Sequence, residues 1–322
     1  MSLPENLQAA VTAWLAAQAG SRRPGSQALS QTYRAGGTSA GVDLGSYLVA
    51  RLPATFAAVD RVLAELARLR PGFAPRSLLD AGSGPGTASW AALGHWPGLD
   101  AITFLDSSPP FLALAAALAR QGPAALAGAT PVGGRMEDIP PGLVADLVIA
   151  AYALAELPLD RAAATAAALW RASREALVLV EPGTPQGFAR LRAVRQLLLT
   201  QGAVPVAPCC HALACPMAGD DWCHFSVRLA RSRAHMHAKA ARVPFEDERF
   251  AYLVLARGGA PQGGGRIVAP PQQAKPGVSF RLCSEGRLET RHVARRDGAA
   301  YKWARKLDWG DLWRPATEED AP

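Results

Sequence analysis

Leu78-Leu79-Asp80-Ala81-Gly82-Ser83-Gly84-Pro85-Gly86-Thr87 joins an apolar run to a helical one through three closely spaced glycines. Glycines at this spacing let a backbone turn sharply and approach a ligand at the carboxyl edge of a sheet. The residues on either side repeat one rhythm. SLLDA (77–81) reads as a strand, TASWAALGHW (87–96) as a helix and AITFLD (101–106) as a second strand. PPFLALAAALARQ (109–121) then begins a helix with proline in its first turn. ADLVIAAYAL (145–154) reads as a strand, RAAATAAALWRAS (161–173) as a helix and EALVLVEPG (175–183) as a strand. Strands alternating with helices of this length predict a parallel, doubly wound α/β sheet.

The flanking segments differ. Residues 5–20 have helical composition and end at glycine, 21–40 read as a Gly-, Ser- and Arg-rich loop, and 47–69 are helical with a break at Pro53. After about 200 the alternation stops. Residues 203–225 are rich in Pro, Cys and His, 226–242 are basic and helical in composition, and RFAYLVLA (249–256) reads as a strand. A Gly/Pro-rich loop is expected at 258–277, then two short strands turning at Glu285–Gly286. The expected division is a helical cap (1–70), a cofactor domain (71–200) and a Cys-rich basic region (201–322). The last is either a separate unit or an insertion at the sheet's far edge.

With 49% hydrophobic and 19% charged residues the composition is globular, not that of a disordered chain. No apolar run reaches the roughly 18 residues of a membrane span, and MSLPENLQ lacks the basic start of a signal peptide. A soluble, cytoplasmic, monomeric protein without membrane contact is expected. The net charge of +7 is unevenly spread: residues 1–200 carry 16 Lys+Arg against 14 Asp+Glu, and 201–322 carry 18 against 13. That excess favours a polyanionic partner such as RNA, with a merely solvated basic face as the plainer alternative.

A dinucleotide loop would read G-x-G-x-x-G, whereas here the third glycine comes two residues after the second. The apolar pair, Asp80 and Gly82-x-Gly84-x-Gly86 together resemble the first motif of S-adenosylmethionine-dependent methyltransferases. That resemblance implies a cofactor site built from Asp80, Gly82, Ser83, Gly84 and Gly86. Asp106, ending the second strand, suits the ribose hydroxyls, and Asp138 falls where an acid would meet the adenine amine. Ala150, Ala151 and Tyr152 would end the strand nearest the methyl group. AAYALAELP (150–158) lacks the Asn/Asp-Pro-Pro-aromatic turn of methyltransferases that act on exocyclic base nitrogens. No general base stands out, so the catalytic residues stay unassigned and cofactor binding is better supported than methyl transfer.

All five cysteines lie between 209 and 283. Cys209, Cys215 and Cys223 follow a C-x5-C-x7-C spacing, 59 residues then separate Cys223 from Cys283, and Cys210 is the fifth. A reducing compartment favours metal binding over disulfides for such a set. Paired C-x2–4-C knuckles of structural zinc are absent, and thiolates from irregular loops suit an iron–sulfur cubane. Spacing alone leaves zinc and buried free thiols open. The C-x-x-x-C-x-x-C run of radical S-adenosylmethionine enzymes is also missing. His211 and His224 read as neighbours of such a site or as surface residues, with substitution for a cysteine at a zinc site as the alternative.

The glycine loop, PCCH…CP, DWCHFS, FEDERFAYLVLAR, LC and YKWARKLDWGD together resemble one family, with Tyr33-Arg34 and RLPATFAAV included. It is the methyltransferase-like ribosomal small-subunit assembly family of bacteria and mitochondria. The resemblance spans about 30–313 and implies a [4Fe–4S] cluster on Cys209, Cys215, Cys223 and Cys283; zinc stays the alternative metal on spacing. The family pattern has Pro where this chain has Cys210; Cys209, in register after Pro208, is the ligand assigned. It further implies a role in small-subunit maturation and translation through rRNA, as an rRNA methyltransferase or as a non-catalytic assembly factor. A zinc-stabilised small-molecule methyltransferase would leave the basic stretches idle. Those are Arg228, Arg231, Lys239 and Arg242 at roughly helical spacing, and Arg291, Arg295, Arg296, Lys302, Arg305 and Lys306 among Tyr301, Trp303 and Trp309. Cations interleaved with aromatic rings suit RNA phosphates and unpaired bases.

Overall fold

The computed structural model describes residues 2–18, 43–231, 235–236 and 242–314. The loop expected at 21–40, with Tyr33 and Arg34, lies outside them, as does Lys239. At the centre stands β1 (Ser77–Ala81), flanked by β2 (Ala101–Asp106) and β4 (Ala145–Ala151), with β3 (Thr130–Gly133) beyond β2 and β5 (Ser173–Pro182) beyond β4. These five strands run parallel. Their inner residues, among them Leu79, Leu105, Val148, Ile149 and Val178, are fully buried, as a sheet covered on both faces requires. Pro131 sits in β3, an edge strand, where a missing backbone donor costs no ladder bond.

Helices cover both faces. α1 (Glu5–Ala17) leads to α2 (Leu44–Ala50), capped by Asp43, whose Oδ2 accepts from the Ser46 N–H at 2.6 Å. α3 (Leu52–Leu69) starts afresh with Pro53 in its first turn, which realises the expected break. It buries Leu52, Phe56, Val59, Leu63 and Leu66 along one stripe, each such burial contributing about 1.5–3 kcal/mol before entropy is counted. α4 (Thr87–His95) follows the glycine loop, and α5 (Pro109–Ala119) and α6 (Ala124–Ala127) follow β2. α7 (Leu159–Ala172) links β4 to β5, and α8 (Pro185–Thr200) follows β5.

Beyond 200 the chain feeds both the large sheet and a second one. β8 (Phe245–Ala256) pairs antiparallel with β5 along its Ala176–Pro182 span. The other edge of β8 is shared: β6 (Val204–Ala207) pairs with its end, Val254–Ala256, and β7 (Phe225–Ala230) with its start, Phe245–Phe250. Between these partners the chain leaves the sheet at 208–224, the cysteine-bearing stretch. The second sheet comprises β9 (Gly265–Ile267), β10 (Gln272–Ala274), β11 (Gly277–Ser284), β12 (Arg287–Ala294) and β13 (Leu312–Trp313). α9 (Ala299–Ala304) buries Ala304 in its core, beside Phe280 and Leu282. The expected turn is present, with Glu285 at φ 46° and Gly286 at φ 74°.

Two expectations are corrected. Residues 226–230 are strand, not helix: Leu229 is buried and Val227 partly buried against α3, and the exposed Arg228 clamps Asp247 across the ladder. The loop at 258–277 contains β9 and β10, short segments whose order comes from pairing with β11.

Candidate functional site

The loop after β1 is held by hydrogen bonds from its own chain. Gly82 and Ser83 donate their N–H groups to the Leu105 carbonyl at 2.8 and 3.1 Å, and Gly86 donates to Ser83 at 2.8 Å. Asp106 bridges the two neighbouring strand ends, its Oδ2 accepting from Gly84 N–H and its Oδ1 from Ser108 N–H, both at 2.8 Å. Burial raises its carboxyl above the usual range, against these bonds. Gly82 and Gly86 have φ of 67° and 79°. A Cβ at Gly82 would lie 2.5 Å from the Ala153 Cβ, and one at Gly86 would lie 3.0 Å from the Phe104 ring. Glycine is thus required by conformation and by space.

Asp80 faces inward. Its Oδ2 accepts from Ser89 Oγ at 2.8 Å and Ser89 N–H at 3.1 Å, tying β1 to α4. Burial pushes it up to about 7. The hydroxyls of Ser83 and Thr87 are buried with no hydrogen-bond partner. Across the loop, Met136–Asp138 form a 3-10 turn in which Asp138 is exposed and Glu137 pairs with Arg135. The structure therefore gathers Gly82, Ser83, Gly84, Gly86 and Asp106 at one sheet edge, with Asp138 on the facing turn and Asp80 behind the loop.

Tyr152, the residue after β4, has φ 59°, a left-handed conformation that a non-glycine residue holds at some cost. Its hydroxyl donates to Glu248 Oε1 at 2.9 Å, Arg51 pairs with the same oxygen at 3.3 Å, and the Arg51 guanidinium lies over the Tyr152 ring. Burial followed by the nearby Glu248 charge holds the Tyr152 phenol well above its usual range.

The cysteines meet in one cavity. Cys209, Cys215, Cys223 and Cys283 line it together with apolar Phe188, Met217 and Val268. Its β8 wall is Ala251, Tyr252 and Leu253, the residues between the segments taken up by β6 and β7. Cys283 enters from β11, paired with Arg266 of β9. Arg266 in turn pairs with Glu65 of α3 at 2.5 Å and donates to the Pro208 and Gly310 carbonyls, so one buried guanidinium joins the second sheet, α3 and the cysteine loop. Arg195 of α8 donates to the His211 and Leu213 carbonyls. Arg195 Nε and one terminal nitrogen of Arg266 are buried without a partner. Burial pushes the Cys283 thiol up to about 12 and raises those of Cys209 and Cys223, each further opposed by its neighbouring sulfurs. Cys210 takes another role: its Sγ lies 3.2 and 3.3 Å from the Gly264 and Cys283 carbonyls and does not line the cavity. His211 Nε2 lies 3.5 Å from Cys283 Sγ. Among the described residues, no group of three or more His, Cys, Asp or Glu is arranged to hold a metal ion.

A family model described as mitochondrial small ribosomal subunit Rsm22 matches residues 42–314. The chain belongs to the Rsm22 family. It is 33% identical over 287 residues to the human protein named ribosome assembly protein METTL17, mitochondrial. That alignment takes in 83% of this chain and 61% of the human one, so this Rsm22-family chain spans about three fifths of that relative. Among solved structures it is similar to magnesium protoporphyrin IX methyltransferase of Synechocystis, with 17% identity, TM-score 0.43, and 72% and 95% of the two chains covered. A precorrin-6y C5,15-methyltransferase of Geobacter metallireducens matches at 17% identity and TM-score 0.39, over 60% and 84%. The Rsm22-family chain has an α/β fold whose parallel strands, in the order β3-β2-β1-β4-β5, are continued by antiparallel β8. Among the described residues, no helix is long and apolar enough to cross a membrane.

Proposed function

We propose that this protein acts in assembly of the small ribosomal subunit, holding S-adenosylmethionine at the loop after β1 and a [4Fe–4S] cluster in the cysteine cavity. The observation that carries the reading is the meeting of four cysteines, separated by up to 74 residues in sequence, on one largely apolar cavity in an Rsm22-family chain. Four thiols lining one apolar cavity are the donor chemistry a cubane takes, although they are not drawn together around a single ion. Four thiolates around iron and sulfide leave a net negative charge, and the unpartnered N–H groups of buried Arg195 and Arg266 suit such a group. Cys209, Cys215, Cys223 and Cys283 would be its ligands, and it would lock the cysteine loop to the second sheet.

The cofactor proposal is supported by the glycine loop and by the two buried, unpartnered hydroxyls of Ser83 and Thr87. S-adenosylmethionine would supply an electrophilic methyl group. The protein's part is to orient it through Gly82, Ser83, Gly84 and Gly86, with Asp106 and Asp138 at its rim. A second reading, the assembly factor that uses this fold as a scaffold, is favoured by Tyr152, whose hydroxyl is spent on Glu248. For RNA contact the structure separates the two basic sets. Arg228 and Arg231 are paired with Asp247 and Glu246, whereas Arg295, Arg296, Lys302, Arg305 and Lys306 are exposed and no carboxylate pairs with them among the described residues.

The test is co-sedimentation with small-subunit particles from a deletion strain, in the presence of S-adenosylmethionine carrying a labelled methyl group. Binding with label in the RNA identifies an rRNA methyltransferase, and binding without label identifies the scaffold form. Absence of binding overturns the proposal.

A further inference from the structure

A cleft of about 410 Å³ opens beside the cysteine loop, within the range of about 300–1,000 Å³ typical of ligand sites. Its walls are Arg51 and Tyr152, the start of α8 at Thr184, Trp222, and Glu248 and Arg249 of β8. We infer that this cleft receives one unpaired RNA nucleotide, its base against Trp222 and its phosphate on Arg249. The inference rests on the proposed rRNA role and names the place where a splayed-out base would be held.

The Trp222 ring is fixed from behind. Its Nε1–H donates to the Gly183 carbonyl at 3.1 Å, and His224 stacks on it at 5.1 Å with planes 18° apart. His224 is itself set edge-on against Trp309 at 5.0 Å. Gly183 cannot drift, because its N–H donates to the Arg249 carbonyl at 3.0 Å and a Cβ there would meet β8 backbone at 2.7 Å. An indole held this way is a rigid platform bordering a cleft, the arrangement by which proteins stack single-stranded bases.

The charges of the walls are also resolved. Glu248 is occupied by Arg51 and by the Tyr152 hydroxyl. Asp247 is gripped by Arg228 through two bonds of 2.7 and 2.8 Å. Arg249 is exposed and pairs with no carboxylate among the described residues. It stands beside the N-terminus of the sixteen-residue α8, where Thr184 Oγ1 accepts from Gly187 N–H, so the positive end of that helix adds to its field. An exposed guanidinium, a helix start and a fixed ring match a phosphate and a base together. A duplex offers no base to the ring.

The measurement is fluorescence anisotropy of a labelled ten-nucleotide single-stranded RNA and of a blunt-ended ten-base-pair duplex containing that strand, using the whole chain purified without oxygen. Trp222→Ala and Arg249→Ala should each weaken single-strand binding about tenfold or more, with Trp222→Phe close to the parent. A 4-thiouridine in the strand should crosslink to the peptide containing Trp222. Should Trp222→Ala fail to fold, Arg249→Ala and the crosslink decide. The inference is overturned if Arg249→Ala binds the single strand as the parent does and the crosslink maps elsewhere, or if the blunt duplex binds as tightly as the strand. Either result leaves the ribosomal role to its own test, because co-sedimentation with particles can persist through the exposed arginines of the second sheet.

Discussion

The loop after β1 and the cysteine cavity lie in one fold but are built in opposite ways. The loop draws on 77–89 and 104–108, and its anchors are already made: Asp106 takes two backbone N–H groups, Asp80 takes Ser89, and Leu105 takes Gly82 and Ser83. The cavity draws on α8, the stretch between β6 and β7, the middle of β8 and β11, and its sulfurs oppose one another's ionisation. One site is organised by the chain alone. The other gathers groups that are mutually unfavourable once ionised, and a bound group that accepts four thiolates would remove that conflict. Ligand dependence should therefore differ sharply between the two.

The largest effect is expected at the cavity. Cys223→Ser should lose bound iron and destabilise the protein by several kcal/mol, read as a fall in Tm together with loss of visible absorbance. If the variant keeps its Tm, the cavity does not depend on a bound group. At the loop, Gly82→Ala brings a methyl group to 2.5 Å from Ala153 at a positive φ. About 1–3 kcal/mol of stability should be lost by denaturant titration, with S-adenosylmethionine binding weakened at least tenfold by calorimetry and iron content unchanged. Loss of iron in Gly82→Ala would show the two sites to be coupled.

Asp80 gives a smaller, pH-dependent effect. Because burial raises its folded-state value to about 7, the folded protein favours the protonated form. The resulting stability is fully present below the unfolded value near 4 and is lost as pH rises through about 7. Relative to Asp80→Asn, the parent should lose on the order of 1–3 kcal/mol between pH 4.5 and 7.5 in chemical unfolding. A constant difference across that range would remove the buried acid from the account. The smallest change is expected for Cys210→Ala, which gives up weak thiol contacts to Gly264 and Cys283: roughly 1 kcal/mol, with iron retained.

Most of what could be read from the sequence was local. β1, β2, β4 and β5 follow from short apolar runs, and the glycine loop from spacing within ten residues. β7 misleads because Arg228 and Arg231 sit three apart, as on a helix, while the acids they meet, Asp247 and Glu246, arrive from β8. β9 and β10 are three residues each and acquire order only against β11. The inward turn of Asp80 depends on Ser89, in the first turn of α4, a partner that spacing does not single out. Which of Cys209 and Cys210 faces the cavity was likewise set by β9 and β11, more than fifty residues downstream.

The central claim, that four distant cysteines share one polynuclear group, is tested most directly by iron and acid-labile sulfide analysis of protein purified without oxygen. The account predicts about four iron and four sulfide per chain with a broad visible absorbance, and one equivalent of zinc in colourless, folded protein would contradict it.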